Sequence, residues 1–142
     1  MTKEHLLELL AEMEPGMESR ARHRRTAEAR VATGSSYAFF CPHGRLIACA
    51  GVTVYWPGMA EAWLLFGRHA FAHLVDIAHE APLVLEELRT EHGLRRIQAD
   101  VVATNEKALS FAKHYGFEAE GLMRKYDVLG RDNIRLARIW ED

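Results

Sequence analysis

Residues 105–121 read Asn-Glu-Lys-Ala-Leu-Ser-Phe-Ala-Lys-His-Tyr-Gly-Phe-Glu-Ala-Glu-Gly, and this stretch decides the fold. Asn105 has the side chain of a helix N-cap, whose oxygen accepts from a backbone amide two or three residues on. The spacing predicts a helix from Asn105 through His114, ended by Tyr115-Gly116-Phe117. Strands flank it. Arg96 to Val102 alternates and then becomes apolar, and residues 117–128 and 133–140 read as two further strands around a turn at Gly130-Arg131-Asp132.

Upstream, apolar residues recur at three and four from about Ala70 to His92, a helical face, with Gly93 as its C-cap. Pro82 lies inside that face and is expected to kink the helix or divide it. Before it come three strand-like runs, 37–41, 46–55 and 61–66, separated by Pro42-His43-Gly44-Arg45 and Trp56-Pro57-Gly58. They predict an antiparallel meander. Residues 3–13 and 17–32 read as two opening helices. Strand, helix, strand, helix and strand after a meander is an α+β plan with a mixed sheet in one domain, residues 1–142.

Composition closes off other classes. The 142 residues are 49% hydrophobic and 27% charged, the proportions of a soluble globular domain. Eighteen Lys and Arg against twenty Asp and Glu leave a formal charge of −2, so no global field recruits nucleic acid or an anionic membrane. The arginines at 20, 22, 24 and 25 are flanked by Glu18 and Glu28 without interleaved aromatics, and read as a solvated helix face or as a wall that attracts an acidic substrate or coenzyme phosphate. The longest apolar run, 47–56, is far short of the ~20 residues a bilayer span needs. Cys41 and Cys49 are too few for a disulfide framework and read as reduced, which fits a cytoplasmic setting. His69 and His73 stand at i and i+4 without a third ligand at telling spacing, so no metal site is expected.

With Asn105, Ala108, Phe111, Gly116 and Phe117 in order, the chain resembles the GNAT acyltransferase superfamily. The run from Glu120 to Tyr126, with Arg131-Asp132, is similar to its ribosomal-protein and amine acetyltransferase branches. The resemblance spans residues 3–140 and is specific at 105–126. It implies a three-layer α/β/α domain whose central sheet is mixed, mostly antiparallel, twisted and split by a cofactor cleft, here without the family's N-terminal strand. It also implies transfer of an acetyl group from acetyl-CoA to a small-molecule or protein amine, with a homodimer as a compatible assembly. On this resemblance the coenzyme lies along Leu64, Leu65, Phe66, Gly67, Arg68, Ala70, Ala72, Asn105, Ala108 and Phe111. Backbone amides of residues 65–67 would polarise the thioester carbonyl.

Two departures stand out. The family's Gln/Arg-x-x-Gly-x-Gly/Ala loop, whose amides cradle the pyrophosphate, is replaced by Gly67-Arg-His-Ala-Phe-Ala-His73. Aligned from Gly67, Ala70 and Ala72 take the two small positions. Aligned from Arg68, Phe71 and His73 would block the phosphates, so the first alignment is preferred. Loss of that loop is also similar to GNAT-like proteins of tailed phages, and a non-catalytic protein of that kind is the rival reading. The second departure is Ala112, where many relatives carry the tyrosine that protonates the leaving thiolate. Ser110 and Tyr115 are the nearby hydroxyls, the latter turned about 300° from that position. Glu61 matches a catalytic glutamate of part of the family; read alone, it is equally an exposed charge at a strand end.

Overall fold

The computed structural model describes residues 36–67 and 70–141. Strand β1 (Ser36–Phe40) turns through Cys41 to Arg45 into β2 (Leu46–Trp56), which returns as β3 (Met59–Phe66). Both pairings are antiparallel, as the alternating runs require. A 3-10 turn at Ala70–His73 leads into helix α1 (Leu74–His92), followed by β4 (Arg96–Val102), α2 (Glu106–His114), β5 (Glu118–Met123) and β6 (Asn133–Ile139). Among the described residues six strands form one sheet in the order β1-β2-β3-β4-β6-β5. Only β3 and β4 run parallel. The two opening helices expected at 3–13 and 17–32, and with them the third layer, lie outside the described residues.

The sheet's two faces differ in chemistry because side chains alternate along each strand. Ala60, Ile97 and Leu136 share one face and bury themselves against Leu88, Leu94 and Phe117, with Leu109 and Ala112 of α2 packed alongside. A second cluster joins Phe39, Ile47, Ala48 and Ile77 to Leu64, Phe66 and Phe111. Both helices therefore lie on this apolar face. Glu61, Gln98, Asp100 and Arg135 alternate with those residues and belong to the opposite face.

Three sequence readings are corrected. Pro82 does not divide the helix, which runs unbroken from Leu74 to His92, although residues 70–73 wind as a 3-10 turn. Strand β5 stops at Met123, well before 128. Beyond it Lys125 takes a φ of 50°, and Asp127 accepts from the amides of Leu129 (3.0 Å) and Arg131 (2.9 Å). That carboxylate network makes 124–132 a closed loop rather than strand. Strand β3 starts earlier than expected, at Met59. Gly93 caps α1 as read, with φ 60° in the left-handed region and its amide bonded back into the last turn.

Candidate active site

The parallel pair is short. Strands β3 and β4 are in register only at Met59–Arg96, Ala60–Ile97 and Glu61–Gln98. Beyond Glu61, β3 stays paired with β2 and β4 with β6, so the two strands part and leave a cleft. The join is fixed at Gly58, whose carbonyl accepts from Arg95 (2.8 Å) and Arg96 (3.1 Å). Gly58 has φ 90°, and a Cβ there would stand 3.0 Å from the Arg95 guanidinium.

On the cleft edge of β3 the backbone alternates in direction. The Gly67 amide donates to Ile47 O at 2.9 Å, which with the antiparallel register turns the amides of Leu65 and Gly67 toward β2. The amides of Ala62, Leu64 and Phe66 therefore face the cleft. Of residues 65–67, expected to polarise a carbonyl, Phe66 is the one whose amide points into it. Across the cleft mouth, Phe66 meets Phe111 edge-on, 6.4 Å between ring centres. Asn105 caps α2, its side-chain oxygen accepting from the Ala108 amide at 3.1 Å.

Glu61 sits where the strands part, on the face away from the helices. The Tyr55 hydroxyl donates to Glu61 Oε2. Asp100, one alternation along β4 from the Glu61 partner Gln98, lies on the same face and acts on the Glu61 carboxyl. Arg135, opposite Asp100 in the β4–β6 register, grips it with Nε on Oδ1 at 2.9 Å and Nη2 on Oδ2 at 3.1 Å. The Asp100 side chain is 11% exposed. Burial pushes the Glu61 carboxyl above its usual range, and Asp100 adds to the rise against the Tyr55 hydrogen bond and the Arg135 charge. Burial opposes ionisation of Asp100 too, but hydrogen bonds from Arg135 and Glu61 outweigh it and hold that carboxyl low. Burial and the Glu61 hydrogen bond push the Tyr55 phenol well above its ordinary value. Glu61 thus belongs to a polar cluster with Tyr55, Asp100 and Arg135, and Tyr126 stands near it, its phenol pushed up by burial and by the Asp100 charge.

The hydroxyls named from sequence lie elsewhere. Ser110 is exposed on α2. The Tyr115 hydroxyl donates to Ala78 O of α1 at 2.9 Å. Pro82 has no N–H to offer that carbonyl four residues back, so Tyr115 takes the place of the missing helical bond. Phe111 packs on Tyr115 at 4.8 Å, which ties the ring to the helical face opposite Glu61.

Of the residues expected to face a pyrophosphate, Arg68 lies outside the described residues, Ala70 opens the 3-10 turn, and Ala72 is exposed. Ala72 lines a cavity of about 390 Å³ with Cys41, His43, Arg45 and His73. Arg45 and His43 from the β1–β2 turn therefore stand beside the segment that lacks the family's glycines. No group of His, Cys, Asp and Glu among the described residues is arranged to hold a metal ion. Neither cysteine forms a disulfide, and both are buried. No helix among the described residues is long and apolar enough to cross a membrane.

Tyr55, Asp100, Tyr126 and Arg135 were not among the sequence candidates. The signal for Asp100 was present: Gln98 and Asp100 alternate with Ile97, Ala99 and Val101, which marks one polar face on a strand whose other face is core. Tyr55 and Arg135 become partners only through strand register.

Neither a protein-family model nor a curated protein matches the sequence. Solved structures do. A chimera of the spermidine N-acetyltransferase SpeG from Vibrio cholerae with hSSAT aligns at TM-score 0.74 and 15% identity, over 96% of this chain and 90% of that one. The ribosomal-protein-alanine N-acetyltransferase from Brucella melitensis aligns at TM-score 0.74 and 16% identity, over 99% and 97%. The ribosomal alpha-N-protein acetyltransferase RimL, solved in complex with coenzyme A, aligns at TM-score 0.74 and 14% identity, over 98% and 90%. At such identities the likeness concerns the backbone, and it covers nearly the whole of each chain. The mixed sheet parted between β3 and β4, with α1 and α2 on one face, is the fold of the GNAT acetyltransferases, and this chain has that fold.

Proposed function

We propose that the protein transfers an acetyl group from acetyl-CoA to an amine held on the Glu61 face. The observation that carries this reading is the cleft itself, with inward amides along β3 and a half-buried carboxyl at its root. A pantetheine arm carries amides that can pair with the cleft-side edge of β3 as a further strand would. The Phe66 amide then has the position to donate to the thioester oxygen as negative charge develops there. Glu61, ionised, accepts a proton from the ammonium directly or through one water. The N–H electron pair returns to nitrogen and the amine attacks the carbonyl carbon, pushing the C=O π pair onto oxygen. As that pair returns, the C–S bond breaks, and the second proton of the attacking nitrogen passes to the departing thiolate, leaving the amide and the free thiol.

The residues fit the two ends of the coenzyme unequally. The edge amides, Asn105 and Phe111 suit the pantetheine arm. The 67–73 segment cannot bring the close glycine backbone of the family loop to a pyrophosphate, and Arg45 supplies a side-chain cation in its place, with His43 and His73 as further polar lining. The test is binding first, then turnover. Acetyl-CoA at 100 times its dissociation constant should add about 2.7 kcal/mol to stability, seen as a rise in Tm. Release of free thiol with a panel of amines then identifies acceptors. Absence of any thermal shift at millimolar acetyl-CoA would overturn the reading and favour a non-catalytic protein on the same fold.

A further inference from the structure

We infer that Asp100 is a positioning residue for Glu61: clamped by Arg135, it keeps one proton on Glu61 and so sets the pH above which Glu61 can serve as a base. This rests on the reading of Glu61 as the base, but it can be measured without turnover.

The placement follows from register. Glu61 pairs with Gln98 in the parallel strand, and Asp100 is the next residue of β4 on the same face. Arg135 faces Asp100 across β4 and β6 and donates to both carboxylate oxygens. Two carboxyls brought to one face of the seam repel each other when both are ionised, so the pair keeps one proton over part of the pH range. The guanidinium fork favours charge on Asp100 and leaves that proton on Glu61. Tyr55 donates to the far oxygen of Glu61 and fixes which way the carboxyl turns.

The surroundings neither supply nor remove net charge. Tyr55 faces the pair from β2, Tyr126 from the β5–β6 loop and Arg135 from β6. Arg96 on β4 is occupied by Glu120 of β5, through Nη1 at 2.9 Å, and by Gln98. With Glu61 protonated, the network of Glu61, Asp100 and Arg135 sums to zero. When Glu61 ionises, it becomes the one member without a cation of its own. That proton-free state is the one able to take a proton from an amine.

Two substitutions should move the proton in opposite directions. Asp100→Asn keeps an oxygen for Arg135 and turns an NH2 toward Glu61, so Glu61 should ionise at lower pH by about one unit or more. Arg135→Gln removes the cation and should make the pair lose its proton at higher pH. The readout is infrared difference titration of the whole protein, following the carbonyl band of a protonated carboxyl. Glu61→Gln should abolish that band. Where an amine is turned over, the acid limb of kcat/KM should shift down in Asp100→Asn and up in Arg135→Gln. General loosening of the fold would not produce shifts of opposite sign. A band that survives Glu61→Gln, or that stays in place in Asp100→Asn, overturns the inference. Because the band needs no coenzyme, the proton assignment stands or falls separately from acetyl transfer.

Discussion

Tyr115→Phe isolates the bond that lets Pro82 remain in the middle of α1. In wild type the phenol donates to Ala78 O at 2.9 Å, the carbonyl that Pro82 leaves without its helical partner. Deleting the hydroxyl removes a bond with a net value of about 1 kcal/mol. It also leaves a half-buried acceptor unsatisfied, and with Ala78 partly in contact with water that penalty sits near the low end of about 1–3 kcal/mol. A total loss of about 2 kcal/mol is expected in urea denaturation. Pro82→Ala restores an N–H at position 82, so in that background Tyr115→Phe should cost only about 0.5 kcal/mol, the remainder being coupling between the two sites. Equal costs in both backgrounds would refute the substitution of phenol for amide. The same variant separates structure from chemistry: kcat should be close to wild type, because the hydroxyl is bound on the face opposite Glu61. A hundredfold fall in kcat with stability intact would instead make Tyr115 the acid of the reaction.

Glu61→Gln should lower kcat by about 10²–10⁴-fold with little change in acetyl-CoA affinity, as measured by thiol release and titration calorimetry. Wild-type kcat/KM should rise with pH through the elevated ionisation of Glu61, since the base exists only above it. Asn105→Ala removes the α2 cap and should cost about 1 kcal/mol of stability, with weaker acetyl-CoA binding in calorimetry. Arg45→Ala should weaken acetyl-CoA binding at low salt and much less at high salt, whereas edge pairing along β3 should be nearly indifferent to salt. Asp127 is held down to about 2 by hydrogen bonds from Arg131 and Asn133 that outweigh its burial, and Asp100 is also depressed. Both favour the fold above their unfolded values, near pH 4, and lose that contribution as pH falls toward 2. Acid melts followed by circular dichroism should show Tm falling across that window, less steeply in Asp127→Asn.

Much of the architecture was legible because local signals agreed with the tertiary outcome. Asn105 caps, Gly93 terminates, and the meander alternates where the sequence alternates. Pro82 misled because its cost is local and its remedy is remote: the hydroxyl that satisfies Ala78 is 37 residues away. The strand reading of 117–128 failed through loop chemistry, since Asp127 collects amides that a ladder would have used. For the site, Glu61 was visible through family likeness, but its partners were not. Tyr55, Asp100 and Arg135 sit on three different strands, and only register places them around one carboxyl.

The three-pair seam between β3 and β4 makes the sheet two plates on a common joint rather than one rigid surface. From Glu61 to Phe66 the stretch of β3 not paired with β4 is about 17 Å long at ordinary strand rise. A rotation of about 5° at the joint would therefore carry the Phe66 amide roughly 1.5 Å, enough to make or break a hydrogen bond. Gly58, Arg95 and Arg96 stand at this joint, the Gly58 carbonyl accepting from both arginine amides and its Cα facing the Arg95 guanidinium. A methyl group added at Gly58 would act on the opening through this lever, by pressing on the Arg95 guanidinium, and its effect would be largest at the far tip of the arm.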